Sequence, residues 1–535
     1  MRDSLRSIRR RIFTLAVTTT LIGTAGYAAP AQASAQAGGP AVVQTATGRI
    51  RGLVAEDRRT FSGIPYAAAP VGDRRWQPPQ PAASWRGVRD ATVPGSRCPQ
   101  PDAAGTSEDC LFLNVTTPPV SAGSRLPVMV WIHGGSLTTG AGSDYDASRL
   151  LAGGRVLLVT INYRLGALGF LAHPALDRGR SKSGAYGFAD QTAALRWVRR
   201  NIAAFGGNPG NVTVFGESAG GGSVCAQLAS PAAAGLFQRA IVESAPCVNN
   251  PAALPWWRHL TQSESLGVQA AGRFGCADPA TAAACLREVP IDELLAAAVP
   301  ASQIAFPPAF GGDVLPEDPG VAVSSGRFNR VPVMHLGTRD EHRLFVALEE
   351  LAAGRPITET EYQAAVRAQF GDHATRLLAR YTSAAYGSPS LALSALFTDG
   401  AWSCPALWTE RALARFVPTF AAEFTDRNAP PLFPGTESVS FPLGAYHAAE
   451  LQYLFGGPVF PDRLNAAQSR LSRQMVRYWL RFAATGNPNS VGSPVWPRFT
   501  PRGVHVQSLA PGPRGIRPVD LAARHRCALW ESQMG

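Results

Sequence analysis

The sequence predicts an α/β protein built on a large, mainly parallel sheet with helices on both faces. Three observations carry that expectation. Near-continuous apolar runs recur along the chain, separated by segments of helical periodicity, the pattern of strands buried on both faces by crossover helices. One of these runs leads through a glycine-flanked serine turn directly into a helix-like segment. Finally, no repeat or low-complexity linker divides the roughly 500 residues that follow an N-terminal leader, so one large domain with insertions is preferred to several smaller ones.

The leader comes first. Arg2, Arg6, Arg9, Arg10 and Arg11 precede a stretch, residues 12–29, that is largely apolar or small, and Ala31-Gln32-Ala33 and Ala35-Gln36-Ala37 offer small-residue cleavage sites. This is the pattern of a secretory signal peptide over residues 1–37, cleaved near 33 or 37. Arg10-Arg11-Ile12-Phe13 also fits a twin-arginine signal, so the general secretory and twin-arginine routes both stay open. Thr18, Thr19, Thr20, Gly23 and Thr24 dilute the apolar stretch, and no later run reaches the ~20 apolar residues of a membrane span. A secreted, soluble mature protein without a stable membrane anchor is expected, with residues 38–535 as its single domain.

Composition narrows the function classes. The formal charge of +12 falls to +8 once the five leader arginines and Asp3 are removed. The remaining arginines are scattered singly, with no basic run beyond pairs such as Arg199-Arg200, so no nucleic-acid partner is expected. Lys182 is the only lysine. Eight cysteines in an exported chain point to disulfides. With neither a C-x-x-C nor an H-x-x-x-H spacing, nothing recommends a zinc site.

Strand-like runs are read at 127–132, 156–161, 212–215, 240–243, 331–336 and 417–424. The clearest helix spans 190–205, where Leu195, Val198 and Ile202 recur at spacings of three and four and Gly206-Gly207 stops the pattern. Between the strand-like 211–215 and the helix-like 221–228 stands Gly216-Glu217-Ser218-Ala219-Gly220, the chain's one G-x-S-x-G. Glycines two residues either side of the serine remove Cβ atoms where strand and helix nearly touch. The turn is thus read as a nucleophile elbow: the Ser218 hydroxyl protrudes beyond the carboxyl end of the sheet, where ligands of such sheets bind. The amides after it open a helix and face any developing negative charge. A serine needs a base, an acid to orient the base, and donors for the oxyanion. Trp131-Ile132-His133-Gly134-Gly135-Ser136, directly after a predicted strand, supplies a glycine-rich turn whose amides can face a ligand; the amide of Ala219 adds another donor.

Taken together these motifs resemble the type-B carboxylesterase and lipase family of the α/β-hydrolase fold, the group that includes cholinesterases. The resemblance runs through almost the whole mature chain. Phe61-Ser-Gly-Ile-Pro-Tyr-Ala67 and Arg75-Trp-Gln-Pro78 match the family's N-terminal sheet region, and Glu108-Asp-Cys-Leu-Phe-Leu-Asn-Val115 its second signature. Asn162-Tyr-Arg-Leu-Gly166, Ala194-Leu-Arg-Trp-Val198, Asn201-Ile-Ala-Ala-Phe-Gly-Gly-Asn-Pro209, Gly486-Asn-Pro488 and Trp496-Pro497 are similar to further landmarks.

The resemblance implies an α/β-hydrolase fold with loop and helix insertions around the active site, and a serine hydrolase acting on small-molecule or lipid carboxylic esters through an acyl-enzyme, with no cofactor. It implies Glu341, in Gly337-Thr-Arg-Asp-Glu341, as the catalytic acid, with the adjacent Asp340 as the alternative. In the order serine, acid, histidine, the candidates for the base are His342, His373, His447, His505 and His525. His373 falls in a helical surface pattern and His525 in an arginine-rich tail. His447 stands in Gly444-Ala-Tyr-His-Ala-Ala-Glu-Leu451, similar to the family's G-x-x-H-x-x-E-L. The implied site is therefore Ser218, Glu341 and His447, with the amides of Gly135, Ser136 and Ala219 as the oxyanion hole. The resemblance also implies the disulfides Cys98–Cys110, Cys276–Cys285 and Cys404–Cys527, and leaves Cys225 and Cys247 either as buried thiols or as a fourth bridge. Two departures stand out. Ser136 replaces the third glycine of the oxyanion turn, where a backbone N–H is the working group. The loop between Cys98 and Cys110 lacks the tryptophan that holds choline in cholinesterases, which argues against a choline ester.

The rival classes are a binding protein of the same family that has lost its nucleophile, which the retained serine, acid and histidine oppose, and an S-x-x-K esterase. The latter is excluded, because Gly179 occupies the serine position before Lys182. Amidase, thioesterase or lipase action by the same residues remains open at this stage.

Overall fold

The structure, a computed structural model, describes residues 41–101, 103–179, 181–296 and 306–532. The expected signal peptide lies outside the described residues.

Fifteen strands are defined in chain order: β1 Ala41–Gln44, β2 Arg49–Val54, β3 Arg59–Pro65, β4 Val88–Asp90, β5 Phe112–Thr117, β6 Leu126–Ile132, β7 Leu157–Ile161, β8 Gly207–Glu217, β9 Arg239–Glu243, β10 Arg258–His259, β11 Ala309–Phe310, β12 Val333–Thr338, β13 Thr419–Phe424, β14 Val506–Leu509 and β15 Arg517–Val519. All but the short β10–β11 pair join one sheet, ordered β1-β2-β3-β5-β7-β6-β8-β9-β12-β13-β14-β15, with β4 alongside β2. The segment from β7 to β14 is parallel throughout. Antiparallel strands extend both ends: β5, β3, β2 and β1 at one, β15 at the other. The expectation of a large, mostly parallel sheet between helices holds.

Apart from the first residues of β8, the parallel strands are buried at nearly every position, and β7 along its whole length, because helices cover both faces. The helix Tyr186–Asn201 continues as a 3-10 turn to Phe205 and ends at Gly206, whose φ of 95° is costly for any residue with a Cβ. It starts four residues before the periodic segment read from the sequence. The strands β12 and β13 begin two residues later than the apolar runs suggest. In each case a proline, Pro332 or Pro418, sits just ahead of the strand, where a missing N–H breaks no interior ladder bond. The prolines still join the sheet through their carbonyls: Ala240 N–H donates to Pro332 O at 3.1 Å and Val333 N–H to Pro418 O at 2.9 Å.

Four disulfides are present: Cys98–Cys110, Cys225–Cys247, Cys276–Cys285 and Cys404–Cys527. The question left open by the sequence for Cys225 and Cys247 is answered by geometry. The helix that follows the serine turn packs on β9, and the residues just beyond that strand bring the two Cα atoms to 5.3 Å. Among the described residues no helix is long and apolar enough to cross a membrane.

Candidate active site

Ser218 occupies the apex between β8 and the helix Ala219–Ala229, with φ 58° and ψ −125°. A non-glycine residue in this region is strained and persists only where its surroundings enforce it. Here the Ser218 N–H donates to Glu243 O and its carbonyl accepts from Gly222 N–H, both at 2.9 Å. The flanking glycines are needed for space. A Cβ on Gly220 would lie 2.0 Å from Ile132 O, and one on Gly216 would lie 2.6 Å from both Ile132 O and the Gly220 carbonyl carbon. The helix can follow β8 so abruptly only because its first turn presses bare backbone against β6.

The adjacent end of β6 runs into the glycine turn. Gly134 approaches the serine so closely that a Cβ there would sit 3.1 Å from Ser218 Cβ, and Gly135 adopts φ 100° with its Cα facing Thr139 O. Ser136 and Leu137 follow with φ 56° and 59°. Three successive residues thus have positive φ, and both Gly135 and Ser136 line the cavity that holds Ser218. Ala219, first residue of its helix, has no intrahelical acceptor for its N–H. Behind the loop His133 is fully buried, with Nδ1 2.8 Å from Gly134 O and its ring stacked on Tyr163. Burial, opposed by the Gly134 contact, lowers its pKa to about 4, so the imidazole is neutral.

Glu341 and His447 meet although 106 residues separate them: Nδ1 lies 2.6 Å from Oε2. The other carboxylate oxygen, Oε1, accepts the Thr338 N–H at 2.6 Å, which fixes the carboxylate at the end of β12. Both side chains are at most 5 % exposed. His447 packs against Phe345 and Trp402. Its Nε2 has no hydrogen-bond partner among the described residues and borders the same cavity as Ser218. Asp340 points elsewhere. It accepts the Ala445 N–H at 3.0 Å and pairs with Arg343 and Arg427, each at 3.2 Å. Of the remaining histidines, His373 is exposed as read, whereas His525 is buried between Asp399 and Glu423 and is no loose tail residue.

The sequence reading passed over a group of buried carboxylates beneath this pair. Glu217 Oε1 lies 3.2 Å from His447 Nε2, off the line of a hydrogen bond. Burial first, then the charges of Glu450, Glu341 and Glu243, push the Glu217 pKa well above the carboxylate range. Burial and the neighbouring Glu243 and Glu341 do the same to Glu450. Burial raises Glu243 to about 8, against a 2.9 Å hydrogen bond from Trp479 Nε1. Carboxyls packed together in low dielectric raise one another's pKa, since burial and like charge both disfavour the ionised form. Their signal was present, since Glu217 belongs to the serine pentapeptide and Glu450 to the histidine motif.

The cavity above Ser218 and His447 has a volume of about 600 Å³. Its walls are mainly apolar, with Leu344, Phe345, Leu348, Leu432, Phe433 and Phe460 among them. Among the described residues no cluster of three or more histidine, cysteine, aspartate or glutamate side chains could hold a metal ion.

A parallel sheet extended by antiparallel strands, with a strained serine turn at the end of a central strand, defines the α/β-hydrolase class. A family model described as the Carboxylesterase family matches residues 39–530, and the chain belongs to that family of carboxylic ester hydrolases. It is 35 % identical over 482 residues to the para-nitrobenzyl esterase of Bacillus subtilis (strain 168), covering 86 % of this chain and 92 % of that protein. It is also 35 % identical over 493 residues to the cocaine esterase of Oryctolagus cuniculus, covering 85 % and 89 %. The solved structure of a PNB esterase superposes with a TM-score of 0.75 at 33 % identity, covering 91 % of this chain and 99 % of that one.

Proposed function

We propose that this carboxylesterase works through a Ser218–His447–Glu341 triad, with the amides of Gly135, Ser136 and Ala219 as its oxyanion hole. The observation that carries the reading is the 2.6 Å contact between Glu341 and His447 Nδ1, which leaves Nε2 without a hydrogen-bond partner among the described residues, at the cavity that Ser218 lines. A carboxylate on Nδ1 keeps the proton there and leaves Nε2 as the base.

Ser218 Oγ attacks the ester carbonyl as His447 Nε2 takes its proton. The oxyanion is held by main-chain N–H donors that need no reorganisation. The imidazolium, stabilised by Glu341, protonates the departing alcohol, giving an acyl-enzyme. Water then enters, loses a proton to Nε2, and displaces the acyl group from Oγ. The apolar walls suit small esters with hydrophobic acyl or aryl groups, in keeping with relatives named for para-nitrobenzyl and cocaine esters. The paired cysteines and the leader over 1–37 support a secreted protein whose single domain is 38–535.

Labelling with a fluorophosphonate, combined with a series of nitrophenyl esters of increasing acyl length, tests the reading. Stoichiometric modification of a peptide containing Ser218 is expected, with hydrolysis abolished in parallel. A labelled residue other than Ser218, or unimpaired hydrolysis after labelling, overturns it.

A further inference from the structure

A second cavity, about 170 Å³ in volume, shares no lining residue with the one above Ser218. Its lining includes five arginines, Arg339, Arg343, Arg427, Arg524 and Arg526. They come from the loop after β12, the helix that follows it, the loop after β13 and the C-terminal segment, so only the folded chain assembles them.

Their charge exceeds what the protein supplies against it. Asp340 takes Arg343 and Arg427, and Glu423 pairs with Arg524. Arg526 lies over the Tyr381 and Tyr386 rings and donates to the Tyr386 hydroxyl. His525 is a sixth cation: burial opposes its charge, but Asp399 and Glu423 outweigh that and push its pKa up to about 10. Six cations therefore face three carboxylates. Arg339 is the clearest surplus, because its half-buried guanidinium has no hydrogen-bond or ion-pair partner among the described residues. Burial lowers its pKa first; the charges of Asp340 and Glu423 oppose that, and the positive charges of Arg524 and Arg427 add to it. Guanidiniums crowded this way are relieved by an anion that accepts several N–H donors at once, the geometry in which arginine binds oxyanions best.

We propose that this arginine pocket binds a small tetrahedral oxyanion: inorganic phosphate, or the phosphate group of a small monoester. The cavity holds about five or six waters at ~30 Å³ each, room for an ion of five heavy atoms. Asp340, on its wall, exchanges two hydrogen bonds with Ala445, N–H to carbonyl at 2.8 Å and carboxylate from N–H at 3.0 Å. An anion seated here thus braces the loop that carries Glu341 against the segment that carries His447, and stabilises the fold. The inference does not rest on the roles proposed for Ser218, Glu341 or His447.

The test is calorimetric titration of the mature protein with inorganic phosphate, together with thermal melts up to about 10 mM phosphate, ionic strength being held with sodium chloride. Saturable binding is expected, with a Tm rise of about 1–3 °C. Arg339→Gln removes no observed protein contact and should fold normally, yet weaken phosphate binding at least about tenfold, the loss of a charge-assisted hydrogen bond. Arg427→Gln should weaken it similarly, and Arg49→Gln, on β2 at the opposite end of the sheet, should not. Glycerol phosphate run in parallel distinguishes the sources: binding equal to that of phosphate points to a monoester, and binding of phosphate alone to the free ion, either of which sustains the oxyanion site. Absence of saturable binding, or equal affinity in the parent and Arg339→Gln, overturns the proposal. So does a Tm rise that chloride reproduces.

Discussion

Replacing Glu341 by glutamine alters the site by one atom and one charge, and the structure predicts the consequence. Glu341 Oε1 accepts the Thr338 N–H at 2.6 Å and Oε2 faces His447 Nδ1 at 2.6 Å. A glutamine that keeps its oxygen on Thr338 presents NH2 to Nδ1. Nδ1 must then accept, the ring proton moves to Nε2, and the base is lost. The opposite amide orientation restores the tautomer but sets NH2 against the Thr338 N–H, forfeiting a buried hydrogen bond worth about 1–3 kcal/mol. At 1.36 kcal/mol per tenfold, that leaves about a fifth to somewhat under a hundredth of the molecules competent. Those molecules also lack the carboxylate beside the imidazolium, an attraction of about 4 kcal/mol at an effective dielectric of 20, or close to another thousandfold. We expect kcat/KM for a nitrophenyl ester to fall by about 10⁴–10⁵, close to the carboxylate-to-amide change in other triads, while Tm stays near the parent's. Asp340→Asn is the contrast. It weakens the hold on Ala445 and two ion pairs, costing about 1–3 kcal/mol of stability, yet hydrolysis by the folded protein should stay within a few-fold. If Asp340→Asn is the inactive variant, or folded Glu341→Gln keeps more than about a tenth of the activity, the assignment of the acid is refuted.

Ser218→Ala should abolish ester hydrolysis by several orders of magnitude without lowering Tm, since alanine bears the φ of 58° at much the same cost; retention of more than about a tenth of the rate would sink the elbow assignment. Ser136→Gly and Ser136→Ala should both stay within a few-fold of parental activity, because position 136 offers an amide and the glycine also relieves φ 56°; collapse of a folded Ser136→Ala would assign the hydroxyl to catalysis. His525, with a folded-state pKa raised to about 10 from 6.5, contributes stability fully present below about pH 6.5 and lost as pH rises through about 10. Tm of the parent minus that of His525→Gln should therefore shrink over that window, and a difference that is flat or grows with pH contradicts the buried cation. Cys404–Cys527 spans a sequence separation of 123, so Cys404→Ser/Cys527→Ser should lose about 4–5 kcal/mol by the loop-entropy relation; denaturant melts showing no loss would mean the bridge is not closed in solution.

Features whose causes are local were legible in the chain. Ser218 could be placed at an apex because the glycines that permit the turn lie two residues away on either side, and the sheet's parallel core because most of its strands contain apolar runs. Motif likeness brought Glu341 and His447 together on paper, but which of two adjacent carboxylates reaches the ring depends on loop direction. Thr338 N–H holds one and Ala445 with two arginines claims the other. Segments far apart in the chain decided the rest. Strand β8 runs back to Gly207, beyond its apolar residues, because β6 offers a pairing partner at Leu126. Cys225 and Cys247 are bonded because the helix after the elbow packs on β9. A histidine among arginines in the tail carries no local sign of burial, yet Asp399 and Glu423 draw His525 inside from positions more than 100 residues away. Periodicity and turn chemistry act between near neighbours and can be read from one chain. Charge pairing and burial depend on which distant segments meet, and here that meeting assembles both the site around His447 and the arginine cavity behind it.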